Sequence, residues 1–116
     1  MELASTGRRE MRLTEEQVEE LAAALREIVR NQRRRLRREQ VAFRSLTLHD
    51  ATSARRRRQA RHAASTAYRI GAAASRALAA LEDGAYGTCV RCGRSLPFDR
   101  LRERPLAVLC AGCDEA

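Results

Sequence analysis

Apolar residues recur at Val18, Leu21, Leu25 and Ile28, a 3-4-3 spacing that draws one stripe along a helix. The stripe weakens through an arginine-rich stretch and resumes at Leu36 and Phe43. Thr14-Glu15-Glu16-Gln17 has the form of a capping box, in which the Thr14 hydroxyl accepts from the Gln17 backbone N–H and the Gln17 side chain reaches back. Glu15, Glu16, Glu19 and Glu20 set negative charge at the positive end of the helix dipole. Nothing between Glu15 and Phe43 breaks a helix, so the pattern predicts one about 43 Å long. A second pattern comes after it. Ala60, Ala63, Ala67, Ile70, Ala74, Ala77 and Leu81 alternate by three and four, the a/d repeat of a coiled coil, and predict a helix of about 45 Å over Ala54 to Asp83. Its seam is mostly alanine, and such small knobs let a partner helix approach closely. Gly71 weakens this helix by up to ~1 kcal/mol relative to alanine, and Gly84 stands at C′ to end it. Between the two patterns, Ser45 to Ser53 gathers β-branched and short polar residues, and Asp50, Thr52 or Ser53 is suited to cap a new helix. We read this stretch as the turn of a helical hairpin; the alternative is one bent helix. Two helices of nearly equal length joined by a short turn pair antiparallel, with both of their ends beside the segment after residue 83.

That C-terminal segment carries the candidate chemistry. Cys89-Val90-Arg91-Cys92 is separated by seventeen residues from Cys110-Ala111-Gly112-Cys113. Each pair has the C-x-x-C spacing at which two thiolates of one turn bind the same metal, and two such turns close a tetrahedral Cys₄ site suited to one Zn²⁺. Gly87, Gly93 and Gly112 sit where a knuckle around sulfur calls for positive φ or close backbone approach. Two disulfides would need an oxidising compartment, but residues 1–11 carry no apolar core of signal-peptide length, and the expected location is the cytoplasm. A thioredoxin-like redox pair would need a βαβ setting, which the pattern lacks. Four cysteines fill the shell and leave no position open for water, so the zinc reads as structural. Leu96, Phe98, Leu101, Leu106 and Leu109 supply a small core for the finger. Zinc contributes an apparent ~10–16 kcal/mol in finger peptides, comparable with the whole stability of a small domain, so residues 84–116 are expected to fold only with metal and the hairpin base to lean on them.

The expected fold class is therefore mainly α. A flexible lead-in at 1–13 precedes a long antiparallel coiled-coil hairpin at 14–83, with its turn near 45–53 and a small C-terminal Cys₄ zinc finger at 84–116. The chain has 116 residues, no tryptophan and four other aromatic rings, Phe43, Tyr68, Tyr86 and Phe98, too few for a conventional globular core. Its net charge is +8, and every basic side chain except histidine is arginine. From Arg26 to Arg69 fourteen arginines face three acids, Glu27, Glu39 and Asp50. Such a surface favours polyanions, nucleic-acid phosphate or an acidic protein face, unless its arginine stems merely cover a thin seam. No segment is apolar enough to span a membrane. Nothing pairs a nucleophile with a base and the metal shell is closed, so neither an enzyme nor a small-molecule substrate is expected. His49 and His62 read as surface residues of the hairpin.

The cysteine-bearing segment resembles the DksA/TraR family of C4 zinc-finger proteins. The matching residues are Gly84-x-Tyr86-Gly87-x-Cys89-x-x-Cys92-Gly93, then Pro97, Arg100-Leu101, Pro105 and Cys110-x-x-Cys113, covering roughly the last third of the chain. The resemblance implies a zinc globule carrying a coiled-coil finger, with the four cysteines as ligands. It also implies a transcription regulator whose finger enters the secondary channel of RNA polymerase. DksA-like members present two acids at the finger tip in a D-x-x-D-x-A pattern. Here Asp50 is the only acid nearby: read as the first Asp, it has Ser53 and Arg55 at the other two positions; read as the second, it has Thr52 in place of Ala. Arg55, Arg56, Arg57 and Arg58 come next, and these with Asp50 are the candidate partner- or polyanion-binding residues. Three functions compete on these features. One is polymerase binding through the hairpin, a second is sequence-nonspecific nucleic-acid binding by the arginine arm with zinc as scaffold, and a third is assembly through the alanine seam.

Overall fold

The structure, a computed structural model, describes residues 13–46 and 51–115. Four helices form among the described residues: α1 (Glu15–Ser45), α2 (Ala51–Glu82), α3 (Phe98–Glu103) and α4 (Ala111–Glu115). Among the described residues there is no strand, and one isolated antiparallel bridge joins Thr88 to Ser95. The fold is the mainly α class expected, two long helices packed together and a C-terminal cysteine cluster. The expected lead-in and turn lie, apart from Leu13, Ser45, Leu46 and the first residues of α2, outside the described residues. So do Asp50 and His49. Thr52 and Ser53, candidate caps in the sequence, fall inside α2.

Local chemistry accounts for the helix ends. The Gln17 backbone N–H donates to Thr14 Oγ1 at 3.1 Å, and the Thr14 N–H donates to Gln17 Oε1 at 2.9 Å, the reciprocal pair of a capping box. At the C-terminal end of α2, Gly84 takes φ +76°. Its N–H donates to Leu81 O at 3.3 Å, and the Ala85 N–H donates to Ala80 O at 2.8 Å. These two bonds make a Schellman motif with glycine at C′.

The chain forms two compact units. One, Arg26–Ser75, takes in most of α1 and of α2. Ala60, Ala67 and Ala74 are its buried seam residues, one per heptad. The Gly71 Cα faces α1, and a Cβ there would meet Gln32 Cβ at 3.5 Å, an ordinary contact. Residues 29–36 line a groove with 67–75, and 39–44 line another with 60–64, so the helices run antiparallel. Phe43, expected to continue the apolar stripe, is instead 36% exposed, with the Arg61 guanidinium 5.6 Å from its ring centroid. The alanines opposite, Ala60 and Ala64, are too short to cover a phenyl ring.

The other unit takes in the chain up to Leu25 and from Arg76 onward. Its core is Leu21, Cys89, Leu96 and Leu101, with Leu13, Tyr86, Phe98 and Leu109 packed around it. Leu21 projects from α1 into the cysteine-bearing segment and is 1% exposed. Full burial of such a side chain contributes about 1.5–3 kcal/mol. Arg102 Nε adds an exposed ion pair to Glu20 Oε2 at 3.2 Å, worth at most about 1 kcal/mol.

Candidate metal centre

The first pair of cysteines sits on a tight knuckle whose two arms meet at the Thr88–Ser95 bridge. The Leu96 N–H donates to Gly87 O at 2.7 Å and the Cys89 N–H to Arg94 O at 2.8 Å. The turn between them closes with the Gly93 N–H on Cys89 O at 2.9 Å. Gly87 and Gly93 hold φ values of +85° and +78°, which a Cβ disfavours. At Gly87 a Cβ would also come within 3.0 Å of Leu101 Cδ1. The second pair is made differently. Cys110 precedes α4, Cys113 lies inside it, and the Asp114 N–H donates to Cys110 O at 2.9 Å. Gly112 is therefore helical, so of the two uses expected of these glycines it does not serve the positive φ; a helix start turns the chain around the sulfur without one.

Three ties hold the knuckles together. The Val90 N–H donates to Val108 O at 2.9 Å. The Tyr86 hydroxyl donates to Pro105 O at 2.7 Å, and burial pushes this phenol up to about 12. Arg100 Nε donates to Leu109 O at 3.0 Å while its Nη2 reaches Asp114 Oδ2 at 3.3 Å. Sequence reasoning names Tyr86 and Arg100 only as matches to a family pattern. Their work is to fix the loop carrying the second cysteine pair against the first.

The result brings Cys89, Cys92, Cys110 and Cys113 together, their four sulfurs lying within 4.8 Å of one another. Cys92 Sγ and Cys110 Sγ are 3.7 Å apart. Zinc–sulfur bonds of about 2.3 Å at tetrahedral angles put sulfurs ~3.8 Å apart, so the spacing fits the ion. Cys89 is buried, Cys110 and Cys113 half-buried and Cys92 exposed, and all four are free thiols. The electrostatics also suit a cation. Backbone N–H groups, that of Cys110 first and then that of Cys92, draw the Cys89 thiol down to about 6. The Cys113 N–H, 3.4 Å from Cys110 Sγ, lowers Cys110. Cys113 is pushed up to about 12, first by its hydrogen bond to Cys110 and then by burial. Four sulfurs at this range cannot all ionise together without a positive charge among them, and a divalent ion supplies it.

The remaining candidates belong to the other unit. Arg55, Arg56 and Arg58 are exposed on α2, Arg57 is half-buried, and His62 is exposed as expected. No described helix is long and apolar enough to cross a membrane.

Comparison with known proteins agrees with this arrangement. The prokaryotic dksA/traR C4-type zinc finger matches residues 84–116. No curated protein matches the chain. Among solved structures, that of transcription factor DksA2 from Pseudomonas aeruginosa superposes with a TM-score of 0.77 at 25% identity, over 87% of this chain and 82% of that one. The cofactor is accordingly one structural zinc. The finger is thus similar in sequence to the dksA/traR C4-type zinc finger, and the chain, both long helices included, is similar in fold to DksA2.

Proposed function

We propose that this chain is a transcription regulator, not an enzyme, that binds RNA polymerase through the paired helices α1 and α2. One observation carries the reading: the fold likeness to a transcription factor extends over 87% of the chain and so includes both helices, not the finger alone. In this reading Cys89, Cys92, Cys110 and Cys113 hold the zinc, and the finger of 84–116 braces the base of the hairpin of 14–83. Four thiolates complete the metal shell, so the ion organises structure and offers no site to a small-molecule substrate. Contact with polymerase falls to Asp50 and to Arg55–Arg58 at the start of α2. A probe with one acid followed by four arginines has a different field from one with two acids, and near nucleic acid it engages phosphate where an acidic probe engages cations. Action takes place in the cytoplasm, where polymerase is found.

The test is retention of zinc-loaded protein on purified RNA polymerase core, with free DNA and RNA as competitors across a salt series. Saturable binding that survives both competitors is the expected result. Binding lost to competitor or to modest salt overturns the reading. Asp50→Ala and, separately, alanine replacement of Arg55–Arg58 then divide the tip: loss of a transcriptional effect with the first assigns the work to the acid, and loss only with the second assigns it to phosphate contact.

A further inference from the structure

Two shallow grooves open on the unit formed by Arg26–Ser75, and they are the same groove repeated. The first, of about 320 Å³, is lined by Arg33 and Leu36 of α1 and by Ala67, Tyr68 and Gly71 of α2. The second, of about 230 Å³, is lined by Gln40 and Phe43 of α1 and by Ala60, Arg61 and Ala64 of α2. Each of these five residues of the second stands seven positions from one of the five in the first. Both grooves therefore open on the same side of the helix pair, about 10 Å apart along it. Each holds one aromatic ring and at least one arginine. Tyr68 is 67% exposed with Arg33 across the first groove, and Phe43 is 36% exposed under the Arg61 guanidinium in the second.

The edges of this face are cationic. Arg33, Arg37 and Arg44 recur along α1 at helical spacing, and Arg58 and Arg61 do so on α2. Among the described residues none of these five has an acidic partner; the ion pair within this unit joins Arg30 to Glu27. Glu39 is the one described carboxylate lining either groove. Uncompensated charge alone suits any polyanion. The rings narrow the choice. A base offers a π-face to an aromatic ring or a guanidinium whatever its identity, whereas an acidic peptide uses the charges and leaves the rings idle. Bases stacked inside a duplex cannot reach a ring on a helix surface; splayed ones can.

We infer that this face of the helix pair is a track for single-stranded nucleic acid, with Phe43/Arg61 and Tyr68/Arg33 as two stacking stations and the flanking arginines on the phosphates. The experiment is fluorescence anisotropy of the zinc-loaded full chain with a labelled twelve-nucleotide single strand of mixed sequence. The same sequence as a duplex and polyglutamate serve as comparators, across a salt series. The single strand is expected to bind about tenfold or more tighter than the duplex, and Phe43→Leu and Tyr68→Leu each to weaken it about fivefold or more while Tyr68→Phe retains it. Circular dichroism confirms that the variants keep their helices; if Phe43→Leu loses them, Tyr68→Leu, at the more exposed ring, decides. Equal binding of strand, duplex and polyglutamate overturns the inference, as does unchanged binding by the leucine variants or no binding at low salt.

Discussion

Leu21→Ala removes from α1 a side chain that is 1% exposed and packed with Cys89, Leu96 and Leu101. Burying alanine there leaves a cavity whose walls cannot close easily. Cys89 is pinned by its own N–H on Arg94 O at 2.8 Å, and Leu101 by its N–H on Pro97 O at 3.2 Å. Buried Leu→Ala changes run about 2–5 kcal/mol, and this restraint puts Leu21 near 3 kcal/mol. Where the metal-free finger is unfolded, zinc binding and folding are one equilibrium and that loss appears in the metal affinity. A loss of about 3 kcal/mol corresponds to roughly a hundredfold weaker zinc binding. Competition with a chromophoric chelator at pH 7 measures it. Val90→Ala, at a finger position 74% exposed, is the control and is expected to stay within about twofold. A Leu21→Ala protein with wild-type zinc affinity would refute the reasoning: the finger would then be folded without metal, or α1 would rest on it without supporting it.

Two glycines predict opposite outcomes in thermal unfolding. Gly87→Ala meets φ +85° and Leu101 Cδ1 at 3.0 Å, and is expected to destabilise by about 1–2 kcal/mol or more. Gly71→Ala meets Gln32 Cβ at an ordinary 3.5 Å, and is expected to stabilise by up to ~1 kcal/mol. Tyr86→Phe removes the donor to Pro105 O and is expected to cost about 1 kcal/mol in denaturant unfolding, with zinc still bound. Zinc affinity is expected to fall as pH falls, because bound sulfur must be deprotonated. With Cys113 pushed up to about 12, at least one proton leaves on binding at pH 7; below about 6, where Cys89 is protonated as well, the dependence steepens. Calorimetry in buffers of different ionisation heat counts the protons, and pH-independent affinity from pH 5 to 8 would count against the site.

The features legible in the sequence are those whose cause is local. Thr14 and Gln17 stand three residues apart, and their reciprocal bonds depend on nothing else. Gly84, at C′, is separated from the end of α2 by one residue and has the φ its position demands. The two C-x-x-C pairs bring their sulfurs to one point because each turn is short. The alanine seam is visible from its period, and the residues it buries most deeply, Ala60, Ala67 and Ala74, keep that period. The features that escape a sequence reading depend on distant residues. The Val18–Ile28 stripe gives a face but not what covers it, so the place of Leu21 in the core of the finger cannot be read from periodicity. Nor can the burial of Ala22, one of three consecutive alanines. Gly112 shows the opposite failure. A glycine within a knuckle suggests positive φ, but the second turn is made by α4, whose backbone reaches the same geometry with ordinary helical angles. Phe43 fits the stripe by number, yet Ala60 and Ala64 across from it are too short to cover its ring, which meets the Arg61 guanidinium instead.

X-ray absorption at the zinc edge, with metal analysis of the same sample, tests the metal centre most directly. One zinc per chain with four sulfur neighbours at about 2.3 Å is the predicted result. A nitrogen or oxygen neighbour, less than one zinc per chain, or a mass showing disulfides in place of metal would contradict the assignment of Cys89, Cys92, Cys110 and Cys113 to a single structural ion.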